Sequence, residues 1–271
     1  MEFVKMQACG NDYIYVDGTL FNENALPNLA KSLSARQFSV GADGLIAVYN
    51  RDSKVQMKMF NADGSEGEMC GNGVRCSAVF AKKYLGALGS KITVKTKSRE
   101  VLVSLENVNC PVAQMGEVNQ LFTSVFLSDK LQKVGLYVDK RDIYSVNVGN
   151  LHLVVFTKTD LFTLYERVAK TSLFLDGVNL ERVYEIDESD VNNPKLYVEV
   201  YERGSGKTLS CGSGAVSVAY SYLHKKYGEI LPSVKVTVIT DGGALYVHFI
   251  DGIAYLSGEV KQVYRGIIDE I

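Results

Sequence analysis

Apolar and polar positions alternate from residue 1 to residue 17 and close on Tyr13-Ile-Tyr-Val-Asp17. A period of two predicts a strand pair, and Cys9-Gly-Asn-Asp12 between its arms reads as the turn. The period then changes. Leu26, Leu29, Ala30, Leu33 and Phe38 predict a helix over 25–38, with Asn24 as N-cap and Pro27 in the first turn. Gly41-Ala-Asp-Gly44 is a turn before strands at 45–49 and 55–60, and a helix is expected from Cys70 to about Leu85, stopped by Gly86. Residues 91–118 alternate again as antiparallel strands, and 121–148 read as strand-like with charged turns. An apolar strand over 146–156 is broken by Gly149-Asn-Leu-His152, and 161–172 repeats the helical spacing of 25–38. Strands at 180–186 and 195–201 flank a polar loop, a second long helix runs from Cys211 to Tyr227, and closing strands are expected at 234–239, 244–250 and 253–260. Asp241-Gly242 and Asp251-Gly252 are the turns between them.

Two of these stretches resemble each other. Asn61 to Cys76 and Glu202 to Ala215 each open with a polar turn, reach a cysteine, continue as Gly-x-Gly and enter a helical pattern of small and apolar residues. The offset is 141 positions for Cys70 and Cys211, for Gly71 and Gly212, and for Gly73 and Gly214. Gly10-Asn11 and Gly149-Asn150 repeat at an offset of 139. The chain reads as two copies of one unit, each presenting a cysteine at a helix start. The expected domains are 1–113, carrying Cys70 and completed by the C-terminal segment 261–271, and 114–260, carrying Cys211.

Composition narrows the function. At 271 residues and 46% hydrophobic, the chain can bury one large core or two ordinary ones. A net charge of −2 without a long basic run argues against a nucleic-acid partner. No apolar stretch approaches the roughly 20 residues of a membrane span, and the first residues lack a signal-peptide pattern. A cytoplasmic location is the expectation. Five cysteines, an odd number, make a poor disulfide framework. Cys9, Cys76 and Cys110 read as small buried hydrophobes.

Cys70 and Cys211 stand apart because their surroundings are duplicated. A thiol at a helix N-terminus faces outward-pointing N–H groups and the positive end of the dipole, which lowers its pKa. Glycines after it let a ligand carboxylate approach those N–H groups. One such unit suggests a nucleophile. Two suggest a base for each face of one carbon, removing a proton from one side and delivering it to the other. A dinucleotide loop is the weaker reading, because neither Gly-x-Gly completes the longer fingerprint. Zinc binding by Cys70, Cys76 and His152 lacks a second Cys pair. A Cys70–Cys211 disulfide would be an oxidised, inactive form. His224 and His248 carry no motif.

At these residues the chain resembles the diaminopimelate epimerase family. The matching pieces are Gly10-Asn-Asp-Tyr13, Phe60-Asn-Ala-Asp-Gly-Ser65, Met69-Cys-Gly-Asn-Gly-Val-Arg-Cys76, Gly149-Asn-Leu-His152 and Tyr201-Glu-Arg-Gly-Ser-Gly-Lys-Thr208 leading to Cys211-Gly-Ser-Gly214. The resemblance implies an α+β fold of two pseudo-symmetric domains, each a mixed or antiparallel barrel-like sheet around a central helix, with the active site between them. It implies cofactor-independent interconversion of LL- and meso-diaminopimelate, in lysine and peptidoglycan precursor synthesis, with Cys70 and Cys211 as the acid–base pair. By the same carry-over Asn11, Asn61, Asn150, Asn179, Glu202 and Arg203 hold the substrate, Arg203 clamping the distal carboxylate. Gly71, Asn72, Gly212 and Ser213 cradle the carboxylate at the reacting centre, and His152 and Glu202 tune the cysteines. A small amino acid is the expected partner, no metal or cofactor is implied, and a homodimer is an allowed assembly.

Two departures touch substrate preference. Leu151 stands where the family usually has proline, and Gly44 where it often has glutamine. The competing readings are a related racemase of another amino acid, such as histidine or hydroxyproline, a non-catalytic metabolite-binding relative, and a thiol redox enzyme.

Overall fold

A computed structural model describes residues 1–51 and 54–269. Residues 270 and 271, the end of the expected segment 261–271, lie outside the described residues. The chain separates into two compact units, one formed by Met1–Gln114 with Ser257–Ile271 and the other by Met115–Leu256.

The chain opens with β1 (Glu2–Ala8), β2 (Asn11–Asp17), α1 (Leu26–Ser34), β3 (Gly44–Arg51), β4 (Lys54–Asn61), β5 (Glu66–Gly67), α2 (Gly71–Tyr84), β6 (Lys91–Lys95), β7 (Glu100–Ser104) and β8 (Val112–Glu117). It continues through β9 (Asn119–Gln120), α3 (Ser124–Gln132), β10 (Ile143–Asn147), β11 (Leu151–Phe156), α4 (Leu161–Ala169), β12 (Asn179–Asp187), β13 (Lys195–Glu202) and β14 (Gly206–Thr208). The last elements are α5 (Gly212–Tyr227), β15 (Val236–Thr240), β16 (Gly243–Ile250), β17 (Ile253–Gly258) and β18 (Lys261–Ile267).

In the first unit, β1 and β2 form a hairpin through Cys9 and Gly10, at φ 50° and 79°. Two successive positive φ values make the mirror-image turn whose twist suits a hairpin. β2 runs parallel to β3 through α1, β3 pairs antiparallel with β4, and β4 runs parallel to β6 through α2. The second unit has the same order. β10 pairs antiparallel with β11, β11 runs parallel to β12 through α4, β12 pairs antiparallel with β13, and β13 runs parallel to β15 through α5. Each unit thus holds two helical crossovers, and the second crossover helix carries the cysteine motif. β1 also pairs antiparallel with β18.

Burial follows these roles. The first six residues of β3 are all buried, as for a strand covered on both faces, whereas β4 buries Val55, Met57 and Met59 and leaves the residues between them less covered. α2 packs against β1, β2, β3, β4, β6 and β7, and α5 against β10, β11, β12, β15 and β16. Each is a central helix wrapped by strands. This is the reason their first turns, all glycine, serine, asparagine and alanine or valine, are buried. α1 lays Leu26, Leu29, Ala30 and Leu33 on a core with Ile14, Val16, Leu45 and Phe60. α4 lays Leu161, Leu164 and Val168 on one with Leu153, Val155 and Leu180.

Three local expectations are corrected. Residues 124–132 are helical, not strand-like: Thr123 accepts from the Phe126 N–H as N-cap, and Leu127 and Leu131, one turn apart, are buried. α1 ends at Ser34 because Ala35 is extended, so Phe38 lies outside the helix and is 91% exposed. Asn24 does not cap it; Asn22 caps a short 3-10 turn over Glu23–Ala25 instead. No helix among the described residues is long and apolar enough to cross a membrane.

Candidate functional site

Both cysteines N-cap their helices with nearly the same backbone. Cys70 has φ −130° and ψ 118°, and Cys211 φ −130° and ψ 122°. Gly73 N–H donates to Cys70 Sγ and Gly214 N–H to Cys211 Sγ, each at 3.4 Å. Sulfur here takes the place of the serine or aspartate oxygen at an ordinary N-cap. The Gly-x-Gly that follows therefore places backbone N–H groups and the helix dipole at each sulfur.

Around Cys70 the first unit is a ladder of amides and charges. The Cys70 thiol donates to Asn11 Oδ1 at 3.1 Å, and Asn11 Nδ2 donates to Asp43 Oδ2 at 2.9 Å. Asp43 also accepts from the Asp12 N–H and from Arg36. Burial and the neighbouring Asp12 push the Asp43 carboxyl up, while at Asp12 the Arg36 and Lys5 partners outweigh burial and hold it down. Asn61, at the end of β4, donates to Ser65 Oγ at 2.9 Å. Asn72 is 2% exposed, and its Oδ1 accepts from Arg75 Nη2 at 2.5 Å. Arg75 is fully buried and also donates to Gly258 O at 2.6 Å and Gly71 O at 3.3 Å. Every one of these acceptors is neutral. A buried cation thus stands in the first turns of α2 and fixes the amide of Asn72. At the matching position of α5 the chain has Val216.

The surroundings of Cys211 are of opposite character. His152 and Glu181 are both 0% exposed, with His152 Nδ1 and Glu181 Oε1 2.6 Å apart. His152 Nε2 lies 3.1 Å from Asn150 Oδ1. Glu202 accepts from Thr208 Oγ1 at 2.7 Å and hydrogen-bonds the Cys211 thiol. Burial pushes the Cys211 thiol well up, and the charges of Glu202 and Glu181 add to the rise, against the Ser213 and Gly214 hydrogen bonds that lower it. The expectation of a depressed pKa is reversed at this cysteine, because desolvation and two carboxylates outweigh one helix end. Burial likewise raises Glu202, and Cys76 is pushed up to about 12.

The remaining residues frame this side. Asn179 Nδ2 donates to Leu151 O at 3.0 Å and its Oδ1 accepts from the Arg203 N–H at 3.1 Å. Asn179 thereby ties β11, β12 and the end of β13 together. Arg203 is exposed beyond β13, where the side chain runs beside Gly177. Gly44 has a steric reason: a Cβ there would lie 2.1 Å from Phe60 O. Glutamine at that position requires a different spacing of β3 and β4.

Three residues with direct roles around the motifs escaped sequence reasoning: Asp43, Arg75 and Glu181. Glu181 was the most accessible, since it shares the inward face of β12 with Asn179 two residues earlier. His152, Glu181 and Cys211 also bring one potential metal-ligand atom each within 4.8 Å of one another. Two ligands on one tetrahedral zinc ion stand about 3.3 Å apart, judging from bond lengths near 2.0–2.1 Å. At 2.6 Å, His152 and Glu181 share a proton instead.

The comparisons agree with the motif order. The family model described as diaminopimelate epimerase matches residues 3–121 and 144–263. Diaminopimelate epimerase from Archaeoglobus fulgidus is 32% identical over 280 residues, covering 98% of this chain and 95% of its own. Its counterpart from Caldanaerobacter subterraneus is 34% identical over 287 residues, covering 99% and 100%. In fold, the chain is similar to a PhzF-family phenazine biosynthesis protein from Bacillus anthracis, with a TM-score of 0.71, 15% identity and 98% of each chain covered. Two cysteine-capped helices in two like-ordered units, matched along nearly the whole length at this identity, lead to one assignment: the chain belongs to the diaminopimelate epimerase family.

Proposed function

We propose that the protein interconverts LL- and meso-diaminopimelate, with Cys70 and Cys211 as the two bases. The observation that carries this is the repeated N-cap: two thiols, each receiving an N–H from the third residue of its own buried helix, in a chain of this family. One sulfur, as thiolate, takes the α-proton from its face of the carbon. The other, as thiol, donates a proton to the opposite face. Charge that develops on the substrate carboxylate falls to the N–H groups of Gly71, Asn72, Gly212 and Ser213. The roles exchange when the reaction runs backwards.

The surroundings of the cysteines supply the resting division. The Cys211 thiol, pushed up by burial, Glu202 and Glu181, serves as the acid, and Cys70 serves as the base on the other face once the proton it gives to Asn11 Oδ1 has left. Asn11 holds its carbonyl to Cys70, and Asn61, Asn150 and Asn179 offer amides to the substrate's polar groups. Arg203 fits the distal carboxylate because a planar guanidinium can hold it through two hydrogen bonds. We place the reaction in the cytoplasm, where reductants maintain free thiols such as the five present here.

Incubation with LL-diaminopimelate in D2O tests the proposal. Deuterium should enter the α-carbon as the meso form appears, and Cys70→Ala or Cys211→Ala should each abolish turnover. Exchange into another amino acid with none into diaminopimelate would replace the substrate. Unchanged turnover in either variant would remove the two-base scheme.

A further inference from the structure

We propose that Glu181 is a positioning residue that holds His152 in its doubly protonated form and, through it, turns the amide of Asn150 towards the ligand. The significance of Asn150 for a ligand rests on the function proposed above; the protonation form of His152 does not.

The argument is an inventory of donors. An ionised carboxylate can only accept, so His152 Nδ1 must carry a proton to make its 2.6 Å bond with Glu181 Oε1. An amide oxygen can also only accept, so Nε2 must carry a second proton to make its 3.1 Å bond with Asn150 Oδ1. A neutral imidazole has a single N–H. Both bonds together require imidazolium.

What favours the ionised Glu181 is its place against a helix end. Both partners are completely buried, so the pair is held either as two charges or as two neutral groups. The carboxylate also lies against the first turn of α5, since a Cβ built on Gly214 would come 2.5 Å from Glu181 Oε1. That turn is the positive end of a 16-residue helix. The other titratable groups packed here are Glu202 at the end of β13 and Cys211 at the N-cap of α5. Burial raises both.

Two consequences follow for the reaction. With Oδ1 held by the imidazolium, Asn150 presents Nδ2, a donor, to whatever carboxylate approaches. The imidazolium also stands within 4.8 Å of Cys211 Sγ, where it favours the thiolate left after the proton is given up. Glu181 acts through His152. Its Oε2 has no hydrogen-bond partner among the described residues, so the His152 bond is what orients the group.

The chain has three histidines, which makes the protonation form directly readable. Long-range 1H–15N correlation spectra of histidine-labelled protein at pH 7.5, assigned with His224→Gln and His248→Gln, should show both His152 nitrogens protonated. Glu181→Gln should convert His152 to a neutral tautomer and raise the KM for diaminopimelate about tenfold. Combined with Asn150→Ala, it should add no further rise, because both changes remove the same donor. A neutral His152 in the unaltered protein overturns the proposal without bearing on activity. So does a Glu181→Gln protein that keeps the imidazolium, or one whose effect on KM adds fully to that of Asn150→Ala. Loss of diaminopimelate turnover in the unaltered protein, with the imidazolium present, would fail the functional reading alone.

Discussion

The two Gly-x-Gly motifs look alike in sequence but should respond differently to one added methyl group. At Gly214 a Cβ would lie 2.5 Å from Glu181 Oε1 and 3.1 Å from both Glu181 Cδ and Cys211 Cβ. At Gly73 the nearest atoms would be the end of Ile46, Cδ1 at 2.9 Å, and Cys70 Cβ at 3.4 Å. Ordinary carbon contacts begin near 3.5 Å, so Gly214→Ala requires Glu181 to retreat by roughly 1 Å. Its 2.6 Å bond to His152 then stretches past the hydrogen-bonding range or drags the ring along. Overpacking costs about 1–3 kcal/mol and the better helix propensity of alanine returns up to about 1. A net loss of about 1–2 kcal/mol lowers Tm by roughly 2–8 °C in a chain of this size. Losing a charge-assisted bond worth about 1.5–3 kcal/mol lowers kcat/KM by about ten- to a hundredfold. Gly73→Ala meets a methyl group that can rotate aside, so Tm should hold within about 2 °C and kcat/KM within about threefold. Thermal unfolding and the D2O exchange assay measure both. Equal stability and equal activity in the two variants would refute the steric argument and the role given to Glu181's position.

Alkylation of Cys211 by iodoacetamide, followed by peptide mass spectrometry, should stay slow until pH climbs past about 8.5, the ordinary thiol value. Glu202→Gln removes one of the charges that raise it and should shift that profile to lower pH; an unmoved profile would discount Glu202. The sign for stability is the same: the raised thiol means the folded protein keeps a proton the unfolded chain gives up, so stability falls as pH rises above that value. Arg75→Met removes three hydrogen bonds from the interior and should cost about 2–4 kcal/mol, read as a Tm roughly 4–16 °C lower. A Tm within error of the unaltered protein would show that solvent replaces the guanidinium. Gly44→Gln, which restores the common family residue, should destabilise by at least about 2 kcal/mol because Phe60 O occupies the Cβ position; denaturant unfolding with an unchanged midpoint would contradict this.

Much of the architecture could be read from periodicity and from the repeated cysteine motif. The two cysteine helices begin one residue after the cysteines that cap them, because small residues after a polar turn leave few other local solutions. The segment 124–132 is ambiguous in sequence because its charged and apolar residues mix without strict alternation, and only burial of Leu127 and Leu131 decides for a helix. Asp43, Arg75 and Glu181 were hidden for another reason. Each is an ordinary charged residue whose meaning comes from a neighbour distant in sequence: Asn11, Gly258 and His152 respectively. The thiol of Cys211 shows the same limit. Its helix start is local and legible, but the carboxylates that reverse its acidity arrive from β12 and β13.

The pairing of β1 with β18 has a bearing on biosynthesis. The second unit is one uninterrupted run of chain, so it can fold as soon as it leaves the ribosome. The first cannot finish, because β18 is translated after nearly everything else. Until then the outer edge of β1 exposes unpaired backbone groups that can recruit a neighbouring nascent chain. Early termination upstream of β18 should therefore yield aggregates seeded at the N-terminus rather than a protein lacking only its tail.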